Sequence, residues 1–311
     1  MRSTHVGTIL LVALVGGISY FHLHLHFTGS APIEHVGSVS DRLETMRLQW
    51  MSFRNNSLRL NTSWIGRKPL NYPPSSHPRI VVAMYASHAG RDDSFCRSLE
   101  SAIAHGINVS LLGWNVPWKG LSQKLEAVYR LTKSLSPHDV ILFADAYDVL
   151  FADSTDKLLR HFLRMNASIV FSAECGCWPH IVENKDTCFN GYPPSPTKAR
   201  YLNSGAWIGY AAEAAGMLRA IIEDAGDSFE NANDQKLAAD MYINGRFGIK
   251  LDFYNSIFQS MHYTLNDPLP YCYPRKELEL NRKGKWINKA TKSSPVVFHF
   301  NGMRVFDNNV S

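Results

Sequence analysis

Apolar and polar positions alternate in blocks along this chain, and the period of the blocks changes repeatedly between strand-like and helix-like. Arg79-Ile80-Val81-Val82-Ala83-Met84-Tyr85 is a short β-branched run of the kind found in buried parallel strands. A helix-like segment at 93–105 follows, and 108–114 reads as a second strand. Within 123–135, Leu125, Val128, Tyr129, Leu131 and Leu135 share one helical face, and the apolar run at 139–144 is the clearest strand of the chain. Residues 154–165 return to helical spacing through Leu158, Leu159, Phe162 and Leu163, and 168–173 reads as strand. Strand and helix thus alternate four times, which predicts a layered α/β domain with a mostly parallel sheet. A strand at 202–210, helices at 211–225 and 234–243, and a last strand at 295–300 complete the pattern.

The chain before residue 79 has a different character. Residues 6–21 carry no charge, Arg2 is the only basic residue before them, and no acid appears before Glu34. The run is short for a membrane span of about 20 residues, but it continues through 22–27 if neutral histidines are tolerated at the interface. Gly29, Ser30 and Ala31 would permit cleavage. The reading is a signal-anchor, with a cleaved signal peptide as the alternative, over 1–29. A stem follows over 30–78, containing a short amphipathic helix at 41–54 and ending in the breakers Pro69, Pro73, Pro74 and Pro78. Residues 79–311 show no further break and are taken as one domain.

Either N-terminal reading leads into the secretory pathway, to the lumenal side of the endoplasmic reticulum or Golgi membrane as a single-pass type II protein, or to secretion after cleavage. Asn-X-Ser/Thr acceptors at Asn55, Asn61, Asn108, Asn166 and Asn309 agree with that route. So do Cys96, Cys175, Cys177, Cys188 and Cys272 as structural cysteines in an oxidising lumen, with one thiol left over. No spacing among them suits a zinc knuckle.

Composition narrows the classes. With 45% hydrophobic and 12% aromatic residues in 311, the chain is far from the composition of disordered proteins. The net charge of +5 arises without a basic block, so nucleic-acid binding gains no support; an anionic small molecule or a membrane surface would suit it equally.

Chemistry in parallel sheets collects at the carboxyl ends of strands. The strand at 139–144 runs into Asp145-Ala146-Tyr147-Asp148. If the strand continued, the two carboxylates would face opposite sides; if the chain turns, both converge on one cation. Glu174 follows the next strand, Asn203-Ser204-Gly205 and Asp234-Gln235 are compact polar clusters, and His299 stands at the end of the last strand. Two Asp and one His make an oxygen-rich site of the type that prefers Mn²⁺ or Mg²⁺ to zinc. Structural readings compete: solvent-facing turn caps for the aspartates, a satisfied core position for His299, a solvated helix for Lys124, a turn for Asn203 and packing under Pro179 for Trp178.

The ordered series Asp145-Ala146-Tyr147-Asp148, Phe171-Ser172-Ala173-Glu174 with Cys177-Trp178-Pro179, Tyr201-Leu202-Asn203-Ser204-Gly205, Asp234-Gln235, Ile257-Phe258-Gln259 and Val297-Phe298-His299-Phe300-Asn301-Gly302 resembles the glycosyltransferase domain of procollagen lysyl hydroxylases and related collagen glycosyltransferases. The resemblance implies a Rossmann-like GT-A-type fold that binds a UDP-sugar and Mn²⁺. It makes Asp145, Asp148 and His299 the metal ligands and sets Tyr147 against the uracil. Asn301 and Gly302 fall in the loop near the diphosphate, and Lys124 and Asn203 at the donor. Trp178 falls on a loop over the site, Asp234 beside the transferred sugar, and Glu174 opposite the sugar or acceptor. The implied partners are a UDP-hexose and a protein or glycoprotein acceptor hydroxyl, such as hydroxylysine or galactosyl-hydroxylysine.

Two departures stand out. The family's acidic run is reduced to Asn231-Ala232-Asn233-Asp234, and Ala206-Trp207 stand where glycine and phenylalanine are expected. They bear on the acceptor or the sugar more than on the fold, and the reduced run motivates a second reading, a catalytically inactive lumenal relative that binds a ligand; a metal-dependent hydrolase of phosphate esters is a third.

Overall fold

A computed structural model describes residues 78–88, 94–262, 278–282 and 284–302. The N-terminal apolar segment, the stem with its expected helix and the last sequon lie outside them. Among the described residues no helix is long and apolar enough to cross a membrane. In chain order the elements are β1 (Ile80–Tyr85), α1 (Ser94–Ala104), β2 (Val109–Leu112), α2 (Leu121–Ser134), β3 (Val140–Asp145), β4 (Val149–Phe151), α3 (Thr155–Arg164), β5 (Ile169–Glu174) and α4 (His180–Glu183). They continue with β6 (Tyr201–Tyr210), α5 (Ala211–Ala225), α6 (Asp234–Ile243), β7 (Ile249–Leu251), β8 (Phe258–Ser260), β9 (Leu278–Leu280), β10 (Trp286–Asn288) and β11 (Val297–His299).

The main sheet has the order β2-β1-β3-β6-β5-β7. All its strands point the same way except β6, which pairs antiparallel with both β3 and β5. The mostly parallel α/β sheet expected from the pattern is present. The exception has a physical reason: the link from β5 to β6 contains only the four-residue α4 and a five-residue π-helical segment at Thr187–Gly191, neither long enough to carry the chain back across the sheet, so it re-enters at the end it left. That link is tied by a disulfide between Cys177 and Cys188. The last strand departs from the expected pattern, because β11 joins β4 and β8 in a separate three-stranded sheet.

Alternation along each main-sheet strand divides the core in two. On one face Ile141, Phe143, Ile169 and Phe171 pack on α2, α5 and α6 through Leu125, Val128, Met217, Leu218 and Ala238. On the other, Val82, Met84, Leu142 and Ala144 meet α1 and α3 through Phe95, Leu158 and Phe162, and meet the small sheet through Val149, Phe258 and Val297. The two departures from the family pattern lie in this packing. Ala206 is fully buried on the second face, while the Trp207 ring sits 5.9 Å from both Phe143 and Phe171 on the first.

Asp153, just past β4, ties the small sheet to α3. Its carboxylate accepts from the Ser154 N–H and pairs with Lys157 at 3.0 Å and Lys285 at 3.4 Å. Burial would raise its pKa, but the Ser154 N–H and the Lys157 ammonium outweigh that and hold it at about 2. A depressed folded-state pKa stabilises above the unfolded value near 4 and loses that contribution as pH falls toward 2. Asp153→Asn is therefore expected to lower the melting temperature at pH 7 and to make a much smaller difference near pH 2, read by circular dichroism at both pH values.

Candidate active site

Strand β3 ends at Asp145, the chain turns at once, and Asp148 stands directly before β4. The turn settles the open question about the two aspartates: they converge. His299, the last residue of β11, completes the group, and one ligand atom from each residue lies within 4.8 Å of the others. The main sheet delivers Asp145 and the small sheet delivers the other two. The small sheet is locked in register by Phe300 N–H to Asp148 O at 2.8 Å and Met261 N–H to His299 O at 2.7 Å.

The His299 ring is oriented by its own hydrogen bond. Asn203 Oδ1 accepts from Gly205 N–H at 3.0 Å and faces His299 Nδ1 at 2.9 Å. An amide oxygen can only accept, so in the neutral ring the proton sits on Nδ1 and Nε2 presents its lone pair. Nε2 is buried, makes no hydrogen bond, and lies 3.4 Å from Asp148 and 3.8 Å from Asp145. A buried polar atom without a partner, aimed between two carboxylates, is what a divalent cation would satisfy. Burial disfavours the imidazolium, yet Asp148 and Asp145 outweigh burial and raise the His299 pKa. A bound cation would therefore displace a proton. Burial likewise raises Asp145 against the opposing pull of Lys124, whereas His299 overcomes burial at Asp148 and lowers it.

Backbone shape makes room for the cluster. Pairing of β5 with β6 jumps from Phe171↔Trp207 to Ser172↔Asn203, so residues 204–206 bulge toward the site. A Cβ on Gly205 would fall 2.1 Å from His299 Cε1 and 2.8 Å from Asp145 Oδ2. Only glycine leaves that space.

Lys124 is buried rather than solvated. Its Nζ lies 2.7 Å from Asp234 and 3.0 Å from Asp145, and also over the Phe143 ring. Burial works against its charge, but Asp145 and Asp234 hold its pKa above the ordinary lysine value. Asp234 opens α6, and Ser204 Oγ donates to it at 3.3 Å. The next residue, Gln235, donates to Glu174 at 2.8 Å and to the Trp178 carbonyl at 3.0 Å. Asn301 Nδ2 donates to the other Glu174 oxygen at 2.6 Å. Glu174 is 4% exposed, and burial raises its pKa despite the Gln235 and Asn203 contacts.

The structure thus joins Asp145, Asp148, His299, Lys124, Asp234, Asn203, Glu174 and Asn301 in one network. Asn203 lies in β6, not in a turn, and Trp178 is 52% exposed rather than packed away. Gly302 is exposed beside Asn301. Tyr147 Oη donates to His88 O at 3.0 Å and accepts from Ser87 N–H at 3.1 Å, which anchors the ring against 87–88.

Three participants escaped the sequence reading: Gly205 as a space requirement, Gln235 as the clamp on Glu174, and His262. His262 Nδ1 lies 3.2 Å from Asn301 O, and its ring is so close to Gly302 that a Cβ there would come within 2.5 Å of Nδ1. A Cβ on Gly176 would lie 3.5 Å from the same ring. No periodicity marks His262; only the glycines around its ring reveal the tight fit. His262→Ala is expected to lower turnover about tenfold by loosening Asn301 on Glu174, at a stability cost of about 1 kcal/mol for the lost hydrogen bond. Steady-state kinetics and a thermal melt check both.

A cation cradle of two carboxylates and an imidazole, next to a lysine and at the carboxyl ends of parallel strands, suits a substrate bearing phosphate. That describes an α/β domain with a candidate cation site at the carboxyl ends of its strands. Comparison narrows it: residues 77–309 match the family model described as the PLOD GT domain, so the chain belongs to the PLOD glycosyltransferase family. It is 33% identical over 70% of its length to a procollagen-lysine,2-oxoglutarate 5-dioxygenase of Drosophila melanogaster, covering 30% of that protein. It is 26% identical over 76% of its length to the human multifunctional procollagen lysine hydroxylase and glycosyltransferase LH3, covering 31% of that one. The chain therefore spans about a third of the length of these relatives. Among solved structures it resembles the galactosyltransferase LgtC in complex with donor and acceptor sugar analogues, with a TM-score of 0.42, 14% identity, and coverage of 72% of this chain and 87% of that one. At that distance the likeness adds nothing to the fold described above.

Proposed function

We propose that the chain transfers a hexose from a UDP-sugar to a protein-linked hydroxyl, with Mn²⁺ or Mg²⁺ held by Asp145, Asp148 and His299. The observation that carries this reading is the unpartnered His299 Nε2 between the two carboxylates. When bound, the cation neutralises charge on the departing diphosphate. The protein's own residues do the rest. Asn203 fixes the His299 tautomer, and Lys124 adds a positive charge that can turn from Asp145 to a phosphate oxygen. The Tyr147 ring takes the base, and Asn301 and Gly302 border the diphosphate. Asp234 and Glu174 face the sugar and the acceptor hydroxyl, and the raised pKa of Glu174 suits a group that exchanges a proton there. Trp178, exposed beside Glu174's clamp, borders the acceptor side.

The acceptor is a hydroxyl on a collagen-like chain, hydroxylysine or its galactosylated form. The protein works in the lumen of the endoplasmic reticulum or Golgi, with residues 1–29 as its anchor, 30–78 as stem and 79–311 as a GT-A-type domain. A screen of UDP-glucose, UDP-galactose, UDP-glucuronate and UDP-GlcNAc, reading released UDP with and without Mn²⁺, tests the reading. One donor turned over only with the cation supports it; no turnover of any donor favours the inactive relative.

A further inference from the structure

We propose that Asn108 and Asn166 are N-glycosylated, placing one glycan near each edge of the main sheet and both at the pole opposite the cation site. The inference rests on the lumenal reading above. Both asparagines open acceptor tripeptides, Asn108-Val109-Ser110 and Asn166-Ala167-Ser168, and both are exposed. Asn108 immediately precedes β2, and Asn166 sits in the turn between α3 and β5 with a left-handed φ of 44°. Lys250 holds the backbone carbonyl of Asn166, not its side chain.

Strand direction sets their position. β2 and β5 run the same way as β3, whose carboxyl end presents Asp145. Both asparagines therefore lie at the amino ends, roughly 13–20 Å of strand away from the site. β2 is the outer strand on one side, and β5 neighbours β7, the outer strand on the other. A bulky hydrophilic group at each place shields outer strands whose backbone groups could pair with another chain. It also leaves the donor and acceptor approaches free. The body carries the Cys177–Cys188 disulfide, and Cys175 is disulfide-bonded too, as suits an oxidising lumen. In the modification, the side-chain nitrogen forms a bond to the anomeric carbon of a lipid-linked oligosaccharide. The lipid diphosphate leaves, and the amide loses one proton.

The test uses the full chain expressed in cultured animal cells. Enzymatic deglycosylation in heavy-oxygen water converts each modified asparagine to labelled aspartate, which peptide mass spectrometry locates. Label at both Asn108 and Asn166 is expected. Asn108→Gln and Ser110→Ala should each remove the first glycan, and Asn166→Gln and Ser168→Ala the second, with Mn²⁺-dependent UDP release unchanged. The alanine variants keep the asparagine, so loss of label in them reports the acceptor motif itself. Absence of label at either asparagine overturns the proposal for that position. Label confined to Asn55, Asn61 or Asn309 defeats the proposal while the lumenal reading stands, and a chain with no label anywhere defeats both.

Discussion

Gly205→Ala is expected to reduce UDP-sugar turnover by about 10- to 100-fold, the scale on which the supports of metal ligands act. The added methyl group would enter space already held by His299 Cε1 at 2.1 Å and Asp145 Oδ2 at 2.8 Å. Both neighbours are ligand candidates, so whichever yields, the cradle opens. Overpacking of this kind costs roughly 1–3 kcal/mol, so the variant should still fold. A folded variant with undiminished turnover would mean that the bulge of β6 does not shape the site.

Lys124→Met should have the largest effect on stability. It leaves Asp145 and Asp234 without their shared cation in a place where the Lys124 side chain is only 10% exposed. Breaking a buried pair from one side costs about 3–5 kcal/mol; because Asp145 keeps 30% exposure, about 3 kcal/mol is the better expectation. For a folded body of this size that corresponds to roughly 6–12 °C in melting temperature. The sign with pH follows from the raised lysine pKa. The contribution is complete below the unfolded lysine value near 10.4 and is lost only as pH rises through the higher folded value. The deficit of the variant should therefore be constant between pH 7 and 9, and a melt indistinguishable from wild type at pH 7 would refute the buried pair. Turnover should fall as well, since the same ammonium pairs directly with Asp145, one of the three candidate cation ligands.

The long apolar strands and amphipathic helices were legible because a buried face imposes a period over many residues, as in 139–144 and 154–165. Strands such as β4, β7 and β8 are three residues long and carry no period, so the small sheet could not be read. With it went the fact that His299 and Asp148 arrive from one sheet and Asp145 from another. The residue types of the site were visible as motifs, but their convergence depends on the turn after Asp145 and on the bulge at 204–206, both long-range consequences of pairing. Lys124 illustrates the limit: on a helix with a mixed surface it looks solvated, and only the fold sets it between two acids. Gly205 and His262 matter through the space around them, which sequence does not record.

The proposed chemistry depends on a cation held by Asp145, Asp148 and His299 that binds the diphosphate of the donor. Calorimetry of UDP binding with Mn²⁺ and with a chelator, on wild type and His299→Ala, tests it directly. Wild-type protein should bind UDP, and binding should disappear with the chelator and in the variant while the variant's circular dichroism stays native. Equal UDP affinity with and without Mn²⁺, or Mn²⁺-dependent binding retained in folded His299→Ala, would contradict it.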